Sequence, residues 1–505
     1  MDNRVVNMTS DPKKAPKAVS IQQALDEVEQ AWQRIRRLTE KADGTLWTFE
    51  RELWTLIMAL GRALLTVFLA RRGGMARPTV YKRDGVEYAL VEERATEVGS
   101  RFGKVPFARP VGRRVDQPRA AVDLPVDREL GLAGGFSLGV MMAITRLCAQ
   151  MAFAGARETF RETYEWAPSP RATLRMVDTL GEEARAFLEQ APPPEDDGEI
   201  LVVQVDGGGA PMISTAECQR RCQPHRRLHV PGRHARRLRR RERPRKRRTK
   251  GKKSKNAKVA VVGVLYTLKR TPEGLEGPIG KRVYATFESH EALFIWLRRE
   301  ADKRGYGRKQ TMFLADGAET IWRLQEEYFR EAEVCLDWYH VVEKVWSAGE
   351  CIHSEGSREL NDWIARQTKR LRNGAVGALI KGLREELARI PKTGPGNKGK
   401  RERLADIIKH FTKNQHRMRY REMRSRDLEI GSGAAEGAVR NLIRMRFDGP
   451  GMRWSRGRSE RLLHLRCILL NGQWAEFASY LARRRDIRLA AQPIPTQTHD
   501  AKAAA

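Results

Sequence analysis

The chain has 505 residues, 41% of them hydrophobic, with 95 Lys and Arg against 63 Asp and Glu and a net charge of +32. That length gives room for two to four domains and a substantial core, and so large a positive surplus points to a polyanionic partner. Six scattered cysteines exclude a secreted disulfide framework and suit a reducing cytoplasm, with the chain associated with the nucleoid.

Residues 1–18 are polar, contain Pro and Lys, and have no hydrophobic signal core, so they read as a loose tail. Helical periodicity follows over 21–39 and 46–72, the second stretch carrying Leu53, Ile57, Leu60, Leu64 and Val67 at heptad-like steps. The expectation for 1–72 is a tail and a packed or self-associating helical hairpin. A membrane span over 54–70 is the alternative; Arg62 near its middle and its shortness oppose it, so no membrane partner is expected.

Residues 73–130 are rich in Gly, Arg and Pro, with short strands expected at 79–83 and 86–91. Three helices are expected over 131–191: one at 136–151, one at 156–164, and one starting near Pro170, with Ser169 as its N-cap. The break before Pro170 is short enough for a helix-turn-helix, which would put Arg171, Thr173 and Arg175 on a DNA-recognition helix; a plain three-helix packing unit with solvated arginines is the alternative. Pro192-Pro-Pro-Glu-Asp-Asp-Gly then reads as a linker.

Three acids stand out beyond it. Ile200-Leu-Val-Val-Gln-Val-Asp206 and Met312-Phe-Leu-Ala-Asp316 are apolar runs ending in Asp, each expected to be a buried strand that delivers a carboxylate to a sheet edge, with a following glycine turning the chain away at once. Glu436 lies in Gly433-Ala-Ala-Glu436-Gly, in the opening turns of a helix that Ser432 is expected to cap. Small neighbours there would allow close approach, although Glu429 lies seven residues earlier and competes for the assignment.

Between the first two acids, residues 220–258 hold 20 Lys and Arg against one Glu. This stretch cannot bury a core and reads as a basic loop between two strands, with Arg236, Arg237, Arg239, Arg240, Arg245, Lys246, Arg247 and Arg248 as DNA-backbone contacts. Cys218, Cys222, His225, His229 and His234 are possible zinc ligands, but their spacings fit no common finger and the surrounding arginines oppose a cation. The sheet resumes at 259–268 and continues with a strand at 282–288, a helix at 290–301, the Asp316 strand, a helix at 319–329 and a strand ending at Asp337.

Helices are expected at 360–371, 375–390 and 401–420 within a stretch spanning 351–430. Past Glu436 the helix carries Arg440, Arg444 and Arg446 toward phosphates and ends at Asp448-Gly-Pro-Gly. Trp454 either stacks on an unpaired base or packs in the core. Residues 486–505 read as a tail without structure.

Two Asp and one Glu in this order resemble the catalytic acids of DDE transposases, which use an RNase H-like fold. Cys335-Leu-Asp337-Trp-Tyr-His340 is similar to the C/D-x-x-H element of the Mutator-like branch and its bacterial insertion-sequence relatives. Gly451-Met-Arg-Trp454-Ser and Leu465-Arg-Cys-Ile-Leu-Leu-Asn471 resemble the end of such an enzyme.

The resemblance, over residues 125–480, implies an α/β fold: an RNase H-like core at 198–350 and 431–485, a helical insertion at 351–430, and a helix-turn-helix-like N-terminal region. A zinc ribbon of related enzymes would fall in 73–130, where this chain has no cysteine. The expected cofactors are two Mg²⁺ (or Mn²⁺) ions, with Asp206 bridging both, Asp316 on one and Glu436 on the other. Asp337 and His340 would support the site or touch DNA, or simply pair with each other.

The expected partners are double-stranded DNA, as terminal inverted repeats and as target, and further copies of the chain. A metal-dependent nuclease without strand transfer, or a non-catalytic nucleic-acid-binding protein, are the alternative readings.

Overall fold

The computed structural model describes residues 19–41, 43–214, 257–449 and 452–484. The chain divides into two compact units, residues 1–183 with 474–505 and residues 184–473.

In the first unit, α1 (Ile21–Thr39) and α2 (Leu46–Gly73) form an antiparallel hairpin, each opened by a reciprocal capping box, Ser20 with Gln23 and Thr45 with Thr48. Strands β1 (Val80–Arg83), β2 (Val86–Ser100) and β3 (Gly103–Arg114) make an antiparallel sheet in that order. The sheet is far larger than the two short strands read from sequence, because Pro106, Pro110 and alternating charges disguise a long two-stranded ribbon.

Helix α2 lies on this ribbon. Gly61 meets the Phe102 ring, Gly73 meets the Ala108 carbonyl, and Arg62 Nε donates to the Phe102 carbonyl at 2.9 Å. Leu69, Val98, Val105, Phe107 and Val126 form the core beneath. Among the described residues, α2 is the one helix long and apolar enough to cross a membrane. Its flank with Met58, Ala63, Val67 and Leu69 is buried, whereas Ile57 and Leu64 of the heptad-like series, with Phe68, face outward.

Buried Asp123 ties this unit together, accepting from Arg83 at 2.6 Å, Tyr81 at 2.7 Å and Arg128 at 3.2 Å. Helices α3 (Pro125–Glu129), α4 (Leu138–Gln150), α5 (Phe153–Tyr164) and α6 (Pro170–Gln190) follow. The last described helix, Trp474–Arg483, groups with this unit and packs on α4.

The second unit is mixed α/β. Its five-stranded sheet is built from β4 (Ile200–Pro211), β5 (Ala257–Thr271), β6 (Gly274–Thr286), β7 (Gln310–Ala315) and β8 (Glu333–Leu336), in the order β6-β5-β4-β7-β8. β5 runs antiparallel to both neighbours, while β4, β7 and β8 are parallel. Ile200, Leu201, Val202, Val203 and Val205 are buried, as a central strand covered on both faces requires.

Helix α7 (His290–Lys303) joins β6 to β7 and α8 (Glu319–Tyr328) joins β7 to β8, so among the described residues the element order is strand, strand, strand, helix, strand, helix, strand. After α9 (Trp338–Ile352) come α10 (Arg358–Arg372), α11 (Val376–Arg389), α12 (Asn397–Asn414) and α13 (Tyr420–Ser425). The chain then returns through α14 (Gly433–Val439), a turn of π-helix (Arg440–Arg444), α15 (Met445–Phe447) and α16 (Arg456–Leu470), the last packed on β6.

Candidate active site

The register of β4 and β7 pairs Val205 with Ala315, so the next residues, Asp206 within β4 and Asp316 just past β7, stand side by side on adjacent parallel strands. Both are half-buried. Gly207 N–H donates to Asp206 Oδ1 at 2.6 Å, and Ala318 N–H closes a turn onto Asp316 Oδ1 at 2.9 Å. Burial pushes the Asp206 carboxyl above its ordinary range; Gly207 N–H and His340 oppose that, and the nearby charges of Asp316 and Asp337 add to it.

One expectation is corrected here. At Asp316 the strand ends and the chain turns, but β4 does not turn away after Asp206: it stays paired with β5 through Pro211. The glycines serve close approach instead. A Cβ on Gly208 would stand 2.9 Å from Val439 and 3.1 Å from Ile443, so the missing side chain lets the Glu436 helix lie down on the strand.

That helix is fixed at two points. The Ala435 N–H donates to Gln204 Oε1 at 3.0 Å, and Val439 and Ile443 cover Gly208. Gln204, Asp206 and Gly208 alternate onto one face of β4, so the helix that carries Glu436 lies along the Asp206 face of the strand. The Glu436 side chain is exposed, and Arg440 and Arg444 are exposed after it in the π-helical turn.

Buried Gln204 also donates through Nε2 to Tyr266 Oη at 2.8 Å and to Glu429 Oε2 at 3.3 Å, and Tyr266 Oη donates to the same Glu429 oxygen. Burial raises the Glu429 carboxyl, against a smaller lowering from Tyr266. This network places Glu429 in the structural support and leaves Glu436 as the exposed acid.

Asp337 follows β8 directly, its N–H donating to the Ala315 carbonyl at 2.9 Å. It is fully buried and caps α9, with Oδ2 accepting from His340 N–H at 3.1 Å and lying 2.5 Å from His340 Nδ1. Its Oδ1 accepts from Ser432 N–H at 2.7 Å. Ser432 therefore meets the acid through its backbone, and its side chain makes none of the expected capping bonds. Burial raises Asp337, but the bonds from His340 and Ser432 outweigh it and hold the carboxyl below its usual range. The hydrogen bond to Asp337, reduced by burial and reinforced by the charges of Asp337, Asp206 and Asp316, lifts His340 to about 9. The raised pKa favours a protonated imidazole beside the carboxylates of Asp337, Asp206 and Asp316.

Other expected residues fall elsewhere. Trp454 is buried: it bridges to Met212, its Nε1 donates to the Phe447 carbonyl at 3.0 Å, and buried Arg446 stacks 4.7 Å from its ring. This is the packing alternative, and Arg446 is turned inward rather than toward phosphates. In the first unit Arg171 is exposed and Arg175 partly buried near the start of α6, while Thr173 is fully buried and presents no hydroxyl to a base edge. Arg236, Arg237, Arg239, Arg240, Arg245, Lys246, Arg247, Arg248, Cys218 and Cys222 lie outside the described residues.

Sequence reading missed two histidines. His290 opens α7, with burial lowering its pKa against the charge of Asp316. His410, on α12, lies over Gly317 directly after the second acid; burial, with Lys344 and His340, lowers it to about 4, so it stays neutral. Ser289 as a strong N-cap was a signal for the first, but none pointed to the second.

Among the described residues, no three His, Cys, Asp or Glu side chains already enclose a point where an ion could sit. The donor set nevertheless suits a hard divalent cation: carboxylates from two adjacent parallel strands whose mutual repulsion such a charge would relieve, with a further exposed acid, Glu436, on the helix laid along β4. Among known proteins, no family model and no curated sequence matches the chain.

Proposed function

We propose that the chain is a DDE-type transposase of a bacterial insertion sequence, built on an RNase H-like core. The observation that carries this reading is the placement of Asp206 and Asp316 on adjacent parallel strands, with the Glu436 helix laid along the Asp206 face of β4. The element order of the second unit, and an insertion of helices between the second and third acids, support it.

Asp206, Asp316 and Glu436 would hold two Mg²⁺ (or Mn²⁺) ions, which activate the attacking oxygen and stabilise the leaving oxygen of a phosphodiester. His340, its pKa raised and its ring oriented by Asp337, would offset the negative charge of Asp206 and Asp316. Arg440 and Arg444 follow Glu436 on the exposed side, where they would meet phosphates. Terminal inverted repeats and target DNA are the proposed partners. A multimer would bring two element ends together, and the outward apolar residues Ile57, Leu64 and Phe68 of α2 suit self-association.

The test is strand transfer of labelled element-end DNA into a plasmid with Mg²⁺, comparing wild type with Asp206→Ala and Glu436→Ala. Joined products from wild type alone support the proposal. Cutting without joining moves the reading to a nuclease, and equal binding by all three proteins with no cutting moves it to a nucleic-acid-binding protein.

A further inference from the structure

We propose that the helical insertion is a working part of the active site, with His410 as the positioning residue that fixes the direction of the Asp316 carboxylate. This rests on the reading of Asp316 as a metal-binding acid.

Gly317 is the middle of the turn in which Ala318 N–H holds Asp316 Oδ1. The His410 ring lies over it so closely that a methyl group at Gly317 would overlap the imidazole, with Nδ1 and Nε2 only 2.8 and 3.0 Å away. The backbone that aims Asp316 is thus pressed from outside by a flat side chain, and a shift of that ring moves the Ala318 N–H and the carboxylate it holds.

The helix that carries His410 is docked where such a contact must be kept. Lys413 reaches Glu319, the first residue of α8, at 3.0 Å, and just beyond the helix Arg417 stacks 4.3 Å from the Trp322 ring and lies 3.8 Å from Glu326. Within the insertion, Asn414 Nδ2 donates to the His410 carbonyl at 2.9 Å and Arg417 Nη1 to Asn414 Oδ1 at 2.8 Å. The end of the insertion therefore grips the element that starts directly after the second acid. An insertion that served only as a remote DNA-binding module would need none of these contacts. As arranged, any displacement of α12, including one driven by DNA, is passed to Asp316.

The test uses the full chain with His410→Ala, His410→Phe, Gly317→Ala and the double variant Gly317→Ala/His410→Ala. Mn²⁺ affinity is read by electron paramagnetic resonance, DNA affinity in EDTA by anisotropy, and stability by thermal melting. His410→Ala should bind DNA as wild type does but lose Mn²⁺ affinity about tenfold, and His410→Phe, which keeps a flat ring on Gly317, should recover most of it. Gly317→Ala should melt early and bind Mn²⁺ poorly, and the double variant should regain both relative to Gly317→Ala.

Wild-type Mn²⁺ affinity in His410→Ala, or a double variant no better than Gly317→Ala alone, overturns the proposal. If wild type binds no Mn²⁺, the metal-binding reading of Asp316 fails and the positioning role falls with it. If wild type binds Mn²⁺ and His410→Ala binds it equally well, the positioning role alone is lost.

Discussion

Asp337 accepts the Ser432 backbone N–H at 2.7 Å, so a buried carboxylate at the start of one helix holds the chain four residues before Glu436. Its other oxygen holds His340. One side chain thus sets both the third acid and the imidazole beside the first two. Removing it strands two backbone donors and frees the imidazole. Asp337→Ala is expected to cost about 2–4 kcal/mol of stability and to abolish cleavage at temperatures where the protein remains folded. Chemical denaturation alongside a cleavage assay separates the two effects; normal cleavage by the folded variant would show that the Ser432 anchor is dispensable.

Gly208 gives a steric test of the same helix. A methyl group there meets Val439 and Ile443 at about 3 Å, tighter than side chains tolerate without movement. Gly208→Ala should destabilise by roughly 1–3 kcal/mol and lower cleavage at least tenfold, because the helix that carries Glu436 is lifted from β4. Gly209→Ala is the control: a Cβ there meets nothing within 4 Å, so melting temperature and activity should stay near wild type.

Glu429 and Glu436 were rivals in the sequence, and pH separates them. A carboxyl whose pKa is raised on folding contributes stability below its unfolded value, near 4.5, and loses that contribution as pH rises through the higher folded value. Glu429→Gln keeps the amide oxygen for Tyr266 and removes the charge. Its melting temperature should match wild type near pH 4 and exceed it by a few degrees at pH 8, a gain of up to about 1 kcal/mol. Glu436→Gln, on an exposed side chain, should leave melting near wild type and abolish cleavage. A metal dependence of cleavage lost in Glu429→Gln and kept in Glu436→Gln would exchange the two roles.

The sequence carried the acid-bearing strands well because burial on both faces writes an unbroken apolar run, and Ile200 to Val205 is one. The helices of the insertion were legible from period and length, though α12 stops at Asn414, before the expected end. Contacts between distant residues left no such trace. His410 reaches Gly317 across more than ninety intervening positions, and Gln204, a polar residue inside an apolar strand, was the one hint of the network under Glu436. Gly207 to Gly209 read as a turn because glycine permits turns, whereas here it permits a helix to approach a strand.

For Trp454 the sequence left stacking on a base and packing in the core both open, and the structure shows the packing. With its ring between Arg446 and Phe447 and its backbone bonded to Pro211 and Ile213, it closes the end of β4. Trp454→Ala is expected to destabilise by about 3–5 kcal/mol. Trp454→Phe should melt closer to wild type and bind a DNA end containing an unpaired base with wild-type affinity; a selective loss for that DNA would restore the stacking role.

The basic segment can be tested apart from the chemistry. Pro211 pairs with Ala257 across β4 and β5, so the chain leaves and re-enters the sheet at neighbouring positions, and a short Gly-Ser turn can replace residues 215–256 without pulling the strands apart. The excised stretch carries most of the twenty Lys and Arg counted over 220–258. If these charges neutralise phosphates, the slope of log affinity against log salt should become shallower by about 0.9 for each phosphate that is no longer neutralised. The shortened protein should bind DNA weakly at physiological salt, recover much of its binding at low salt, and still cut there, because Asp206, Asp316 and Glu436 lie outside the deletion. Retained binding with no cutting at low salt would instead make the segment part of the chemistry, and an unchanged salt slope would remove it from the DNA interface altogether.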